Sequence, residues 1–355
     1  MLKFMYITAF AAEDPVLKKT FILLMIILML AGIFACTKSP VQQVNEPQQP
    51  QDDITVAALV PVIEEDYWKT DIQGMQEQAD ALNIDLKVYS GQSNLEFQAK
   101  QIENLISQDV DAIILAAVDV YSIMDSVEKC NKAGIPVIYN SRALTNTENA
   151  YFTYGVGYDV DGLAYMGAEW LARHAINKGI KLDVLELYGA STDSHTLYCK
   201  QGFSRGYNKY PQVFENVIGV EGEWNAETIY QNTYNALKER PEINCIILHS
   251  DAYMPSVQFV LTELGRYKKN GQDGHVILAA MGGEAATIDA LKEGYADVLM
   301  ATPIYDTAKL SVNYAYEIVK GKEVTGTEHI LSGFIVDRKN FDTEAYNAFG
   351  YLGKK

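Results

Sequence analysis

The residues best suited to chemistry follow short β-rich runs of this chain. Residues 54–60 form such a run, and three carboxylates and two aromatic residues follow at positions 64–68. Aromatic faces stack on apolar surfaces, and carboxylates accept hydrogen bonds from hydroxyl groups. The candidate ligand-binding residues are Glu65, Tyr67, Trp68, Asp119, Arg142, Asp159, His195, Trp224, Ser250, Asp251, Met281, Gly282 and Thr302. This mixture predicts a sugar-like, polyhydroxylated small-molecule ligand.

Several of the carboxylates also suit a structural role, because a helical stretch follows each β-rich run. Asp66, Asp119, Asp161 and Asp251 can each cap the first turn of a helix by accepting a backbone hydrogen bond. The sequence leaves both roles open for these four residues.

The elements that position these residues alternate along the chain. Strands are predicted at residues 54–60, 86–89, 112–115, 136–139, 184–187, 217–220, 245–248 and 276–279, and stretches such as 71–82, 95–107 and 123–133 have helical spacing. This alternation predicts an α/β fold with parallel sheets, which bind ligands beyond the carboxyl ends of their strands. The body of about 300 residues exceeds what one core serves, so two doubly wound, Rossmann-like lobes are expected.

Charge and motif content exclude several classes of function. The formal net charge is -17 and no basic stripe is present, which argues against nucleic acid as a partner. The histidines are scattered and Cys130, Cys199 and Cys245 lack metal-ligand spacing, so neither a metal nor a cofactor is expected. Residues 202–206 satisfy the G-x-S-x-G pattern around Ser204, but a helical stretch precedes them where a hydrolase needs a strand. The protein is therefore not expected to be an enzyme.

The amino-terminal segment has the features of an export signal. Lys18 and Lys19 precede an apolar run at 21–34 that is too short to span a bilayer and stops at Cys36. This resembles a bacterial lipobox, so residues 1–35 are expected to be a lipoprotein signal peptide, and lipid on Cys36 would anchor the protein to the membrane. An uncleaved signal anchor is the alternative. Residues 36–53 are mostly polar and predict a flexible tether.

The order of several short segments resembles the ribose and galactose branch of the type I periplasmic binding proteins. The segments span residues 54–322 and include 73–82, 98–106, 110–114, 133–137, 202–203, 241–243, 290–294 and 318–322. The resemblance implies two lobes joined by a three-segment hinge, which close around a solute and deliver it to an ABC permease. The implied division is 54–157 plus 303–327 for the N-terminal lobe and 158–302 plus 328–355 for the C-terminal lobe. A monomer is expected.

This chain matches the implied site at some positions and departs from it at others. Residues 65–68 take the place of a polar pair and two stacking aromatics, and Arg142 is kept where the preceding carboxylate has become Ser141. Asp159 and Trp224 match ligand contacts, and residues 250–251 replace an Asn-Asp pair. A second arginine is missing between 197 and 200, and Gly282 replaces an aspartate. These departures suggest a modified, amino-substituted or otherwise unusual sugar, or a small polyol.

Two other roles use the same architecture. A ligand-sensing lipoprotein that signals to a membrane receptor or a histidine kinase would have the same binding chemistry, and the sequence does not separate it from a transport protein. A transcription regulator is disfavoured by the export signal and by the lack of a basic helix-turn-helix. The expected location is therefore extracytoplasmic, anchored to the cell membrane by lipid on Cys36, and periplasmic if an outer membrane is present.

Overall fold

A computed structural model describes residues 54–352 and Lys354 of this chain. The expected signal peptide at 1–35, the lipidation at Cys36 and the tether at 36–53 lie outside the described residues. Within the described part, no helix has both the length and the apolar character needed to cross a membrane.

Strands and helices alternate from residue 55 onward, as the sequence predicts. The strands are β1 (Thr55–Val60), β2 (Asp85–Ser90), β3 (Ala112–Leu115), β4 (Val137–Asn140), β5 (Tyr154–Tyr158), β6 (Leu182–Tyr188), β7 (Phe214–Glu221), β8 (Cys245–Leu248), β9 (Ile277–Gly282), β10 (Val298–Ala301), β11 (Glu328–Leu331) and β12 (Phe334–Asp337). The α-helices are α1 (Asp66–Leu82), α2 (Leu95–Ile106), α3 (Met124–Ala133), α4 (Val160–Lys178), α5 (Ser194–Lys209), α6 (Ala226–Glu239), α7 (Met254–Glu263), α8 (Ala285–Glu293), α9 (Ile304–Val319) and α10 (Phe341–Glu344).

The strands form two six-stranded sheets, one for each lobe. The first has the order β11-β5-β4-β3-β1-β2 and the second has the order β12-β10-β9-β8-β6-β7. The pairs are parallel except β10 with β12, which is antiparallel. Strands β3, β4 and β8 are buried at every residue, which is typical of parallel sheets covered by helices on both faces. The predicted doubly wound architecture is confirmed.

Each sheet has a hydrophobic cluster on either face. Ile113 and Ile114 are neighbours on β3, yet they belong to different clusters because successive side chains of a strand point to opposite faces. In the second lobe Ile246 and Ile247 of β8 divide in the same way. Apolar side chains on both faces of the central strands therefore pack against a layer of helices on each side of each sheet.

Within residues 54–352 the chain passes between the lobes three times. The first crossing follows β5 and the second precedes α9, whose Ala308, Val312 and Ala315 pack in a cluster of the first lobe. The third lies between β11 and β12, later than the expected boundary between residues 327 and 328. Residues 328–331, expected in the C-terminal lobe, pair with β5 in the first sheet instead. This edge strand is short and alternates exposed with half-buried residues, so its sequence gives a weak strand signal.

Two local differences from the sequence prediction bear on function. Helix α1 begins at Asp66 rather than at Asp71, which places Tyr67 and Trp68 on its first turn. Ser204 lies inside helix α5, as expected, so the strand that must precede a hydrolase nucleophile is replaced by helix.

Candidate functional site

A cavity of about 310 Å³ lies between the lobes, beyond the carboxyl ends of both sheets. This is the position that open parallel sheets use for ligands. The predicted residues that line it are Glu65, Tyr67, Trp68, Asp119, Arg142, His195, Trp224, Ser250, Met281, Gly282 and Thr302. Their contact with a ligand stays a prediction, but the fold brings them together.

The first turn of α1 supplies the aromatic wall of the first lobe. The rings of Tyr67 and Trp68 meet edge to face, with centroids 4.9 Å apart. Glu65 occupies the N-cap position of this helix, yet its side chain makes no capping hydrogen bond there. By contrast, Asp119 accepts hydrogen bonds from the backbone N–H groups of Tyr121 and Ser122, each at 2.9 Å. Asp119 therefore combines a place in the cavity wall with the turn-forming role that the sequence left open.

Arg142 links the two lobes across the cavity. Its Nη1 donates to the carbonyl oxygen of Ala117 at 2.8 Å, and its Nη2 lies 2.8 Å from Oδ2 of Asp193 in the second lobe. The guanidinium also lies over Trp68 of the first lobe and Trp224 of the second, 5.4 and 6.0 Å from the ring centroids. Both charged side chains are almost fully buried. The ion pair with Asp193 and the cation–π contact with Trp224 therefore require the lobes to be closed.

Trp224 forms the aromatic wall of the second lobe from an unusual backbone position. Its φ of 56° lies in the left-handed region, as does the φ of 64° at Ser141, just before Arg142. Gly189 makes room for the indole, because a Cβ on that residue would lie 2.0 Å from the ring. Trp224 and Ser141, which both line the cavity, thus have strained backbone, which persists where the surroundings enforce it.

A chain of polar groups crosses the floor of the cavity between the tryptophans. His195 Nε2 lies 2.9 Å from the carbonyl oxygen of His249, and its Nδ1 lies 3.3 Å from Tyr158 Oη. A carbonyl only accepts, so Nε2 carries the proton and Nδ1 accepts from Tyr158. The Tyr158 oxygen can then accept from the hydroxyl of Tyr67 at 3.3 Å. Burial lowers the pKa of His195, which favours this neutral form.

Asp251, a predicted ligand contact, lies behind the cavity wall rather than in it. Its Oδ2 accepts from the N–H groups of Gly283 and Glu284 at 2.8 and 2.7 Å. A Cβ on Gly282 would lie 1.9 Å from Asp251 Oδ1, and the φ of 150° at Gly282 is strained for other residues. Asp251 thus occupies the space that a side chain at position 282 would need. Burial raises the pKa of Asp251 to about 6.

Asp159, the other predicted contact outside the cavity wall, is an exposed N-cap. Its Oδ1 accepts from the N–H of Gly162 at 2.8 Å and so begins helix α4. The capping role accounts for this carboxylate, because an N-cap oxygen must point at the first turn of its own helix. Asp159 lies at the first crossing between the lobes, next in the chain to Tyr158, which lines the cavity.

Other cavity residues were absent from the predicted set. They are Pro61, Val62, Ser93, Leu95, Val118, Ser141, Tyr158, Ala190, Thr192, Asp193, Glu223 and His249. Asp193 follows β6 at the expected edge of the sheet, so its position was visible in the sequence. Its pairing with Arg142 was not, because the two residues belong to different lobes.

Carboxylates dominate the charge of the site. The described cavity wall contains one guanidinium, that of Arg142, and four carboxylates, which give the wall a formal charge of -3. The carboxylates are those of Glu65, Asp119, Asp193 and Glu223. Desolvation in the cleft and the nearby Glu64 raise the pKa of Glu65, against the effect of Arg142. No cluster of potential metal ligands occurs in residues 54–352.

Two doubly wound lobes that enclose a cavity at the carboxyl ends of both sheets define the class of type I periplasmic binding proteins. Residues 56–323 match the family described as "Periplasmic binding protein domain". The match covers more than half of the chain, so the protein belongs to this family, as the sequence resemblance indicated. The similar proteins of known name bind substrates and are not enzymes.

Relatives and solved structures of this kind cover most of the chain. The ribose import binding protein RbsB of Bacillus subtilis is 23% identical over 301 residues, which is 84% of this chain and 93% of that protein. An ABC transporter solute binding protein from Bacillus halodurans with bound myo-inositol has a TM-score of 0.74 at 21% identity, covering 83% of this chain and 98% of that one. A galactofuranose binding protein has a TM-score of 0.76 at 19% identity, covering 84% and 100%. At such identities the structural likeness concerns the fold.

Proposed function

We propose that this protein is an extracytoplasmic solute-binding lipoprotein that captures a sugar or a small polyol between its lobes and delivers it to an ABC permease. The observation that carries the proposal is the pair of tryptophans, Trp68 and Trp224, which line one cavity from opposite lobes. Indole faces stack on the apolar faces of sugar rings, and the surrounding carboxylates and guanidinium bind hydroxyl groups.

The volume and composition of the cavity support a ligand of this size. About 310 Å³ is at the lower end of the range for small-molecule sites, which suits a monosaccharide or a cyclitol. The relatives point the same way, because their names include ribose import, bound myo-inositol and galactofuranose binding. The departures at Ser141 and Gly282 make an unusual sugar or polyol a better candidate than ribose itself.

The mechanism is a closure of the two lobes around the ligand. Ligand that contacts both lobes stabilises the closed arrangement relative to the open one, and the permease recognises the closed shape. Lipid on Cys36 would hold the protein beside the permease, with residues 36–53 as the tether. A sensing role for the same closed form is the alternative from the sequence, but the ABC-type relatives do not favour it.

Tryptophan fluorescence of the full chain tests the proposal. The chain has three tryptophans, and Trp170 lies away from the cavity with its Nε1 bonded to Asp337 at 2.8 Å. The panel is D-ribose, D-xylose, D-galactose, xylitol and myo-inositol. We expect a saturable change with at least one compound, kept in Trp170→Phe and lost in Trp68→Ala.

Thermal unfolding provides a check of folding and a second measurement of binding. A thermal melt checks that Trp68→Ala is folded, and a shift in Tm on adding the compound gives a second measure of binding. If no compound changes either the fluorescence or the Tm of the folded wild-type chain, the assignment is wrong for these sugars and polyols.

A further inference from the structure

We propose that the ligand carries a protonated amino group and that Glu65 binds it. The inference rests on the proposed function, since it assigns a charge to the sugar or polyol held in the same cavity. It adds to that function a specificity-determining residue and the chemical class of ligand that this residue selects.

The charge balance of the cavity is the first reason. Arg142 is the one guanidinium beside four carboxylates in the described wall, and Asp193 already compensates its charge at 2.8 Å. An anionic ligand would therefore find no uncompensated cation in this wall. Arg142 has further N–H groups, which can donate to hydroxyl oxygens of a ligand. The cavity therefore suits a molecule that has both hydroxyl groups and a positive charge.

Glu65 is well placed to meet that charge. It lines the cavity from the N-cap position of α1, and its side chain does not cap the helix. Asp119 and Asp193, in contrast, accept backbone hydrogen bonds that fix local turns. Glu65 is still an exposed residue in this closed arrangement, and a ligand that covers it would need to compensate its charge, which an ammonium group does.

The cavity already accommodates a cation beside its two tryptophans. The Arg142 guanidinium lies over Trp68 and Trp224, within about 6 Å of each ring centroid. The two indole faces that would stack on a sugar ring therefore also stabilise positive charge. An amino-substituted ring between them would gain from stacking and from charge together.

The pH dependence of binding separates a cationic ligand from a neutral one by its sign. Desolvation, Asp251, Asp66 and Glu65 raise the pKa of Glu284, the N-cap residue of α8, to about 8, and Lys69 opposes them. When the cleft closes around a neutral ligand, carboxylates whose pKa is raised by closure take up protons. The affinity for a neutral ligand therefore falls as pH rises. A cationic ligand favours the ionised carboxylates, so its affinity rises with pH while its own ammonium stays protonated.

Calorimetric titration of the full chain with matched compounds provides the test. The probes are D-galactosamine and an aminodeoxyinositol, each beside its parent hydroxyl compound and its uncharged N-acetyl derivative, at pH 5 and pH 7. We expect an amino compound to bind about tenfold tighter than its parent at pH 7, with affinity that increases from pH 5 to pH 7. Glu65→Gln should remove most of that ratio, because glutamine keeps a hydrogen-bonding side chain and loses the charge.

A matched variant and three outcomes make the result interpretable. Glu64→Gln removes the adjacent carboxylate, which does not line the cavity, and should keep the preference for the amino compound. A parent compound that binds as tightly as its amino partner, or a preference kept in Glu65→Gln, overturns the assignment of charge and leaves the proposed function standing. Absence of binding by every probe overturns both for these compounds.

Discussion

The ion pair between Arg142 and Asp193 provides the sharpest test of how the cleft closes. The two groups belong to different lobes, lie 2.8 Å apart, and have side chains that are 11% and 1% exposed. In an open form each charge would return to water, so the pair contributes to closure and not to the stability of either lobe. Asp193→Asn removes the charge but keeps an oxygen to accept the bond from the His195 N–H, which holds the start of α5.

The size of the effect follows from the burial of the pair. Loss of one partner from a buried pair costs about 3–5 kcal/mol when the other charge stays buried. Opening of the cleft relieves part of that cost, so we expect a loss of about 1–3 kcal/mol in ligand affinity, or roughly tenfold to a hundredfold. Most of the change should appear as faster dissociation, because the pair forms only after closure.

Stopped-flow tryptophan fluorescence with a compound that binds the wild-type chain measures the dissociation rate, and small-angle scattering measures closure. Asp161→Asn is the control, because it breaks the ion pair with Arg205 within one lobe at a more exposed site. The control should stay within about threefold of the wild-type affinity. An Asp193→Asn protein that binds and closes like the wild type would refute the role of the pair.

Two other predictions concern the wall of the cavity and its support. Gly282→Ala places a Cβ 1.9 Å from Asp251 Oδ1 at a φ of 150°. It should lower the free energy of unfolding by about 2 kcal/mol or more, as measured by denaturant titration, and weaken ligand binding, as measured by fluorescence. Unchanged stability would contradict the geometry. Asp71 is buried against Asn140 Nδ2 at 2.8 and 2.9 Å, and burial raises its pKa from 3.8 to about 8. The folded state therefore holds this proton more tightly than the unfolded chain does, and the free energy of unfolding falls as pH rises from 3.8 to about 8. Asp71→Asn should flatten that fall and stabilise the protein at pH 9 by at least about 2 kcal/mol; an equally steep fall in the variant would show that another group causes it.

The arrangement of strands and helices was predictable because it depends on local pattern. Strands such as β3 and β8 are buried on both faces, so every residue in them is apolar and the run is visible in the chain. Strand β11 was misplaced because an edge strand needs no such composition, and its partner β5 is distant in sequence. The start of α1 was missed because acidic and aromatic residues, rather than an apolar periodicity, occupy its first turn.

The sequence by itself determined which side chains stand at the carboxyl ends of the strands, since the position after a strand is a property of the chain. It therefore identified Trp68, Arg142 and Trp224 as candidates before any distance was known. Only the tertiary structure decided the direction and pairing of these groups. Asp251 turns behind the wall because the absent side chain of Gly282 leaves it room, and Arg142 meets Asp193 because the lobes close on each other. Both results depend on contacts between distant segments, which local sequence does not encode.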